Sequence, residues 1–132
     1  MIKLNITSTK REQLIDITTE ITKIINNEGW DDGILLIYTP HTTAAITINE
    51  NADPTVKDDI ISFLNKKIPL DYPFKHLEGN SDAHIKSSLI GCSEQVIIEN
   101  GKIVLGTWQG VFFCEFDGPR NRTVNLKFIK SK

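Results

Sequence analysis

Histidine and cysteine are scarce in this 132-residue chain, three and two residues respectively. Cys92 and Cys114 are too few and too far apart for a thiolate zinc framework or a Cys-x-x-Cys redox pair, which leaves reduced, partly buried thiols. No apolar run approaches the ~20 residues of a membrane span, so no membrane partner is expected. The stretch Met1 to Thr7 has neither the apolar core nor the small-residue cleavage site of a signal peptide, and the cytoplasm is the expected location. Charge of one sign is also missing: 15 Lys and Arg stand against 17 Asp and Glu, a net charge of -2 that gives no basic face for nucleic acid. Repeats, low-complexity tracts and linkers are absent as well, and the length suits a single domain, residues 1–132.

What is present is strong patterning. Ile2, Leu4 and Ile6 alternate with polar residues as in a half-buried strand. Thr9 and Glu12 have the spacing of a capping box, and Leu14, Ile17, Ile21, Ile24 and Ile25 then form one helical stripe that ends at Gly29. Ile34 to Tyr38 is an interior strand. Residues 41–49 read as another, with His41, Thr43, Ala45, Thr47 and Asn49 on one face and Ala44, Ile46 and Ile48 on the other. The first face has the composition of a pocket wall, or of a strand turned to solvent. Asp53 and Pro54 open a second helix whose buried stripe is Val56, Ile60, Phe63 and Leu64.

Residues 66–82 form a long loop, and Ser81 or Asp82 caps a short helix that closes at Gly91 and sets His84 and Ser88 on one face. Asn100-Gly101 demands a type I′ hairpin between Val96–Glu99 and Lys102–Leu105. After a break at Gly106–Gly110, Val111 to Phe116 is a strand, Asp117-Gly118-Pro119 turns, and Val124, Leu126 and Phe128 alternate in the last strand. The expected class is α+β: a sandwich-like arrangement of antiparallel sheets with two main helices and one short helix.

All three histidines sit beside small polar residues, glycine or proline rather than inside apolar runs. His41, His76 and His84 are therefore candidates to converge on a divalent metal, since three imidazoles with an open position form a known catalytic arrangement. Their spacing is not diagnostic, and the alternative is that each bonds its own loop. Asn49, Glu50 and Asn51 supply a polar end to the His41 strand; Asp53 is a helix cap or a proton acceptor. Arg120 suits a two-point phosphate contact, or is a turn-surface arginine. Lys86 and Ser87 lie near His84 and suit an anion; Trp108 and Gln109 offer a stacking surface beside an amide, unless the tryptophan belongs to a core or interface.

Five of these motifs resemble the YjbQ-like family, also labelled secondary thiamine-phosphate synthase: Pro40 to Ala44, Asn49 to Pro54, Glu78 to Ser88, Gly106 to Gly110 and Asp117 to Arg120. They occur in the family's order over nearly the whole chain. The resemblance implies a small α+β fold assembled as a homotrimer, with a polar pocket that holds the histidines. It also implies the joining of an aminopyrimidine methyl diphosphate to a thiazole phosphate with release of diphosphate. On that basis His41, His76 and His84 are expected metal ligands, Asn49, Asn51, Lys86, Ser87, Trp108, Gln109 and Arg120 substrate contacts, and Glu50 or Asp53 the general base. Diphosphate displacement usually uses magnesium held by carboxylates, whereas imidazoles favour zinc, nickel or iron. Metal-assisted hydrolysis of a small phosphorylated compound thus stands beside the synthase reaction, and a noncatalytic, trimeric anion-binding module is the reading from another class.

Overall fold

Alternating apolar residues pair strands across long sequence distances, and the resulting register decides which side chains form the core. The computed structural model describes all residues, 1–132. In chain order the elements are β1 (Ile2–Thr7), β2 (Gln13–Asp16), α1 (Thr18–Glu28), β3 (Gly33–Tyr38), β4 (Ala44–Glu50), α2 (Pro54–Lys67), α3 (Ser81–Ile90), β5 (Ser93–Glu99), β6 (Lys102–Val104), β7 (Gln109–Glu115) and β8 (Asn121–Lys130). They form a five-stranded sheet in the order β1-β8-β3-β5-β6 and a three-stranded sheet in the order β2-β7-β4. Every pairing is antiparallel.

The two sheets enclose the larger core. Leu35, Ile37, Val96, Ile98, Val124 and Leu126 meet Ala44, Ile46, Val111 and Phe113 there, and α1 adds Ile21 and Ile25. The opposite face of the three-stranded sheet buries Leu14, Ala45, Phe112, Cys114 and Phe116 against Ala83 of α3 and the partly buried Ile60, Ile61 and Leu64 of α2. Being covered on both faces, β7 reads as a continuous apolar run rather than an alternation. Phe112 and Phe113, on opposite faces, each contribute about 1.5–3 kcal/mol by burial. The architecture is the α+β sandwich expected; α3, at ten residues, is nearly as long as the eleven-residue α1.

Three local expectations are corrected. The stretch after Thr9 is not a capping box: Thr9 N–H donates to Gln13 Oε1 at 2.9 Å, and residues 13–16 become β2, with Leu14 opposite Cys114. The exposed edge of β7 takes this strand because pairing satisfies its backbone groups and delivers Leu14 to the second core. Helix α1 therefore starts at Thr18, where the Asp16 carboxylate accepts from Thr18 N–H at 2.9 Å and Thr18 Oγ1 at 2.6 Å. Strand β4 begins at Ala44, so Pro40–Thr43 are a connection, and Ala45 faces the second core under α3 rather than a pocket. Finally, the α2 stripe is only partly covered: no residue of that helix is fully buried, and Phe63 is 60% exposed. The Asn100-Gly101 hairpin is as expected, with φ of 52° and 74° at the two turn residues.

Candidate functional site

Three connections meet beside the amino-terminal half of α3. Pro40 ends β3's line and turns the chain, and His41 follows it. Its Nε2 accepts the Thr123 N–H at 2.9 Å, serving a β8 donor on the side that β3 has left. That bond puts the ring proton on Nδ1. Burial and the neighbouring Arg122 guanidinium, aided by Arg120, push the His41 pKa below its ordinary value against a smaller opposing pull from Glu115, which favours the neutral ring. His84, on α3, meets His76 from the α2–α3 loop edge to face, with centroids 5.4 Å apart and ring planes at 90°.

The β7–β8 turn and the start of β8 supply the cations, Arg120 and Arg122. Arg122 is buried and bonds Glu115 through Nε at 2.9 Å and through Nη2, which also donates to Thr43 Oγ1 at 2.8 Å. Burial alone would raise the Glu115 pKa, but hydrogen bonds from Arg122, Ser8 and the Asp117 N–H hold it below the usual carboxylate range. Arg120 is half exposed and clasps Asp117 through Nε to the carbonyl and Nη2 to Oδ2, both at 2.8 Å. The same Oδ2 accepts from Asn80 Nδ2 at 2.7 Å, which ties the turn to the start of α3.

These groups line a cleft of about 390 Å³ whose walls are polar and charged residues and Pro40, including His41, His76, Asn80, His84, Arg120 and Arg122. A second depression of about 500 Å³ shares His41, Thr42 and His84 with it and adds Ser87, Ser88 and Cys92. The lining of α3 follows helical spacing: Asn80, His84, Ser87 and Ser88 form one polar stripe. His84 and Ser88 share this face as the sequence indicates, and the Ser88 hydroxyl donates to the His84 carbonyl at 2.9 Å.

The other expected site residues lie elsewhere in the subunit. Asn49, Glu50 and Asn51 occupy the far end of β4, roughly 20 Å from Ala44 at about 3.3 Å per residue. Glu50 is paired with Gln109, the Asn51 N–H donates to the Trp108 carbonyl at 2.9 Å, and Asn51 Nδ2 donates to Asp16 at 3.3 Å. Gln109 Oε1 accepts from the Gly106 N–H at 2.8 Å, and Trp108 is exposed. Asp53 caps α2 through the Thr55 N–H at 2.9 Å; hydrogen bonds from Thr55 lower its pKa. Lys86 is wholly buried and points away from the cleft. Its ammonium donates to Glu12 at 3.0 Å, Asn65 at 2.6 Å and Asp82 at 3.0 Å, which uses all three protons and leaves none for an anion. Asp82 is also gripped two-fold by Arg11 at 3.0 Å; burial would raise its pKa, and the bonds from Arg11 and Lys86 more than reverse that.

Within one subunit no three His, Cys, Asp or Glu donors are placed to share an ion. The reason at His41 is chemical, since its unprotonated nitrogen is occupied by Thr123 N–H. His76 and His84 are different. Their rings are in direct contact, at the spacing of an ordinary edge-to-face aromatic pair. The sequence reading missed Arg122, Glu115 and Asn80. The first two carried a signal: a charged residue at a core-facing position of an apolar strand must be paired.

The family model for UPF0047 protein YjbQ-like matches residues 2–131. A UPF0047 protein of Methanocaldococcus jannaschii is 60% identical over all of this chain and 96% of its own length; UPF0047 protein YugU of Bacillus subtilis is 52% identical over 96% of each. Among solved structures, an uncharacterized protein of the YjbQ/UPF0047 family from Clostridium acetobutylicum superposes with a TM-score of 0.95 at 53% identity, covering 98% of this chain and 100% of the other. A hypothetical protein from Aeropyrum pernix gives 0.93 at 36% identity, covering 98% and 97%.

Proposed function

From the premise that this chain belongs to the UPF0047 family of YjbQ-like proteins, we propose that it is an enzyme acting on a small phosphorylated compound in the histidine cleft. The observation that carries the reading is convergence. The three histidines, 35 and 8 positions apart, all line one polar cleft together with Arg120. Arg120 is the phosphate contact, because its guanidinium is half exposed and held in orientation by Asp117. His41, neutral and protonated on Nδ1, donates from the cleft wall. His76 and His84 are the pair to hold a divalent cation, zinc before nickel or iron by the preference of imidazole, and such an ion would polarise a phosphoryl oxygen. Thiamine-phosphate synthesis and phosphate-ester hydrolysis are the two reactions to assay.

Elemental analysis of untagged protein, with His76→Ala and His84→Ala, tests the cation: both variants should lose it, while His41→Ala should keep it. Calorimetry with inorganic phosphate, diphosphate and simple phosphate esters tests the cleft, with Arg120→Ala expected to weaken binding by tenfold or more. Absence of phosphate binding with or without added zinc sinks the proposal.

A noncatalytic binding module is the second reading. It is favoured by the engagement of both cleft arginines in ion pairs and by the Glu115 carboxylate being held below, not above, its ordinary pKa. Binding without turnover in either assay would select it.

Both readings go with a homotrimer. Ile129, Ile34, Ile97 and Val104 form an exposed cross-strand row on the outer face of the five-stranded sheet, and Phe63 and Leu89 project from α2 and α3. A cyclic ring buries two different patches of each subunit, one against the other. Light scattering should give three chains, and Ile97→Asp should disperse them. A cytoplasmic location also goes with this reading, Cys92 and Cys114 being unpaired.

A further inference from the structure

Both arginines of the cleft spend part of the guanidinium on a carboxylate and leave one nitrogen over. Arg122 bonds Glu115 through Nε and Nη2, and Nη2 also reaches Thr43. Its Nη1 makes no hydrogen bond, yet it is not one of the chain's buried unpaired polar atoms, which are Asn80 Oδ1, Ser87 Oγ and Asn125 Oδ1. Nη1 therefore keeps contact with solvent although the side chain is only 4% exposed. That side chain lines the polar cleft, so the contact is made through the cleft. Arg120 has the same form: Nε and Nη2 hold Asp117, and Nη1 is open.

Strand register brings the two nitrogens to one wall. Thr7 pairs with Asn121, and the Ser8 N–H donates to the Arg120 carbonyl at 3.0 Å, so the β1–β8 ladder runs one step past the end of β8. Residues 120 and 122 are thus alternate positions of one extended segment, on the same face and about 6.6 Å apart at about 3.3 Å per residue. A phosphoryl group with a hydrogen bond of about 2.9 Å on either side spans that separation. His41 is fastened to the next residue, Thr123, through Nε2 at 2.9 Å, which leaves its Nδ1 proton for the same wall. The α2–α3 side of the cleft carries the Glu78 carboxylate, which disfavours an anion there.

We infer that Arg122 is a second phosphate-binding residue and that the cleft takes a terminal phosphate, a monoester or the end group of a diphosphate, in preference to a phosphodiester. Arg120, Arg122 and His41 present one donor group to each of three free phosphoryl oxygens. A diester has only two such oxygens and leaves one donor group without a partner. The Glu115 pair holds the Arg122 guanidinium plane in place, so little ordering is lost when Nη1 engages a ligand.

This inference rests on the reading of the cleft as a phosphate site, and one experiment separates the two. Arginine side-chain NMR of the intact protein follows the guanidinium signals during titration with methyl phosphate or dimethyl phosphate, with and without added zinc. Arg120 and Arg122 should shift together along one saturation curve, and methyl phosphate should bind at least tenfold tighter than dimethyl phosphate. Arg122→Lys keeps a cation for Glu115 but removes the Nη1 donors. It should weaken methyl phosphate binding about tenfold and shrink the preference over dimethyl phosphate to a few-fold, because two donor groups remain for the two oxygens of the diester. Methyl phosphate that binds while moving Arg120 alone overturns the inference and leaves the phosphate reading standing. An Arg122→Lys variant that weakens neither ester, or both alike, does the same; if that variant does not fold, the titration of the unmodified protein decides. Failure of methyl phosphate to bind at all overturns both readings.

Discussion

His41 joins the backbone of the fold to the wall of the cleft. Because its Nε2 takes the Thr123 N–H, its tautomer is set by the sheet and not by any ligand. Long-range nitrogen–carbon NMR correlations should find Nδ1 protonated and a pKa below 6.5, the direction given by burial and the nearby guanidiniums. A ring protonated on Nε2 would refute this placement. Lys86 makes the opposite case, a residue that sequence proximity assigns to an anion and packing assigns to a buried ion cluster. Lys86→Ala strands the paired carboxylates of Glu12 and Asp82 and should cost about 3–5 kcal/mol of stability by denaturant unfolding. Where enough folded protein remains, phosphate affinity should be unchanged; a selective loss of affinity at full stability would return Lys86 to the site.

At the scale of the element, the segment from Thr9 to Glu28 shows where pattern reading fails. Leu14 has the correct spacing to join the α1 stripe, yet it belongs to β2, because β7 offers an edge that no local rule can see. The helix then depends on Asp16, whose carboxylate satisfies one of the amino-terminal N–H groups. Asp16→Ala should lower stability by about 1 kcal/mol in urea unfolding and speed amide exchange at Thr18. No change in either would mean that Ile17 and the preceding strand hold the helix start unaided. By contrast, β1, β3, α2, α3 and the Asn100-Gly101 hairpin were legible, since their signals are local: alternation, a proline-opened helix, a turn that needs two positive φ values. The β4 face was misread for a related reason. Small residues such as Ala45 suit a pocket wall or a close helix contact equally well, and α3 supplies the contact.

For the whole molecule, the buried ion pairs set the response to acid. Glu115 and Asp82 have folded pKa values below their ordinary ones, so their contribution is complete above the unfolded value of about 4 and is lost as pH falls through the folded values. His41 acts earlier and by another route: its folded pKa lies below 6.5, so the unfolded chain takes up that proton first, and stability begins to fall below about pH 6.5. Denaturant unfolding from pH 8 to 3 should therefore show a shallow decline, then a steeper one. His41→Gln should reduce the first, and Glu115→Gln should lower stability at neutral pH while flattening the second. Stability independent of pH down to 3 in the unmodified protein would contradict both assignments.

The sequence by itself determined the class of fold, most strand and helix positions, the family, and the interest of the three histidines, because alternation, caps, turns and unusual motifs act over a few residues. Only the tertiary structure decided that His41, His76 and His84 share a cleft with Arg120 and Arg122, while Glu50, Asp53 and Trp108 stand outside it. Strand order and register make that division: pairing β4 antiparallel to β7 sends Glu50 to one end of the sheet, and the turn bearing Arg120 to the other.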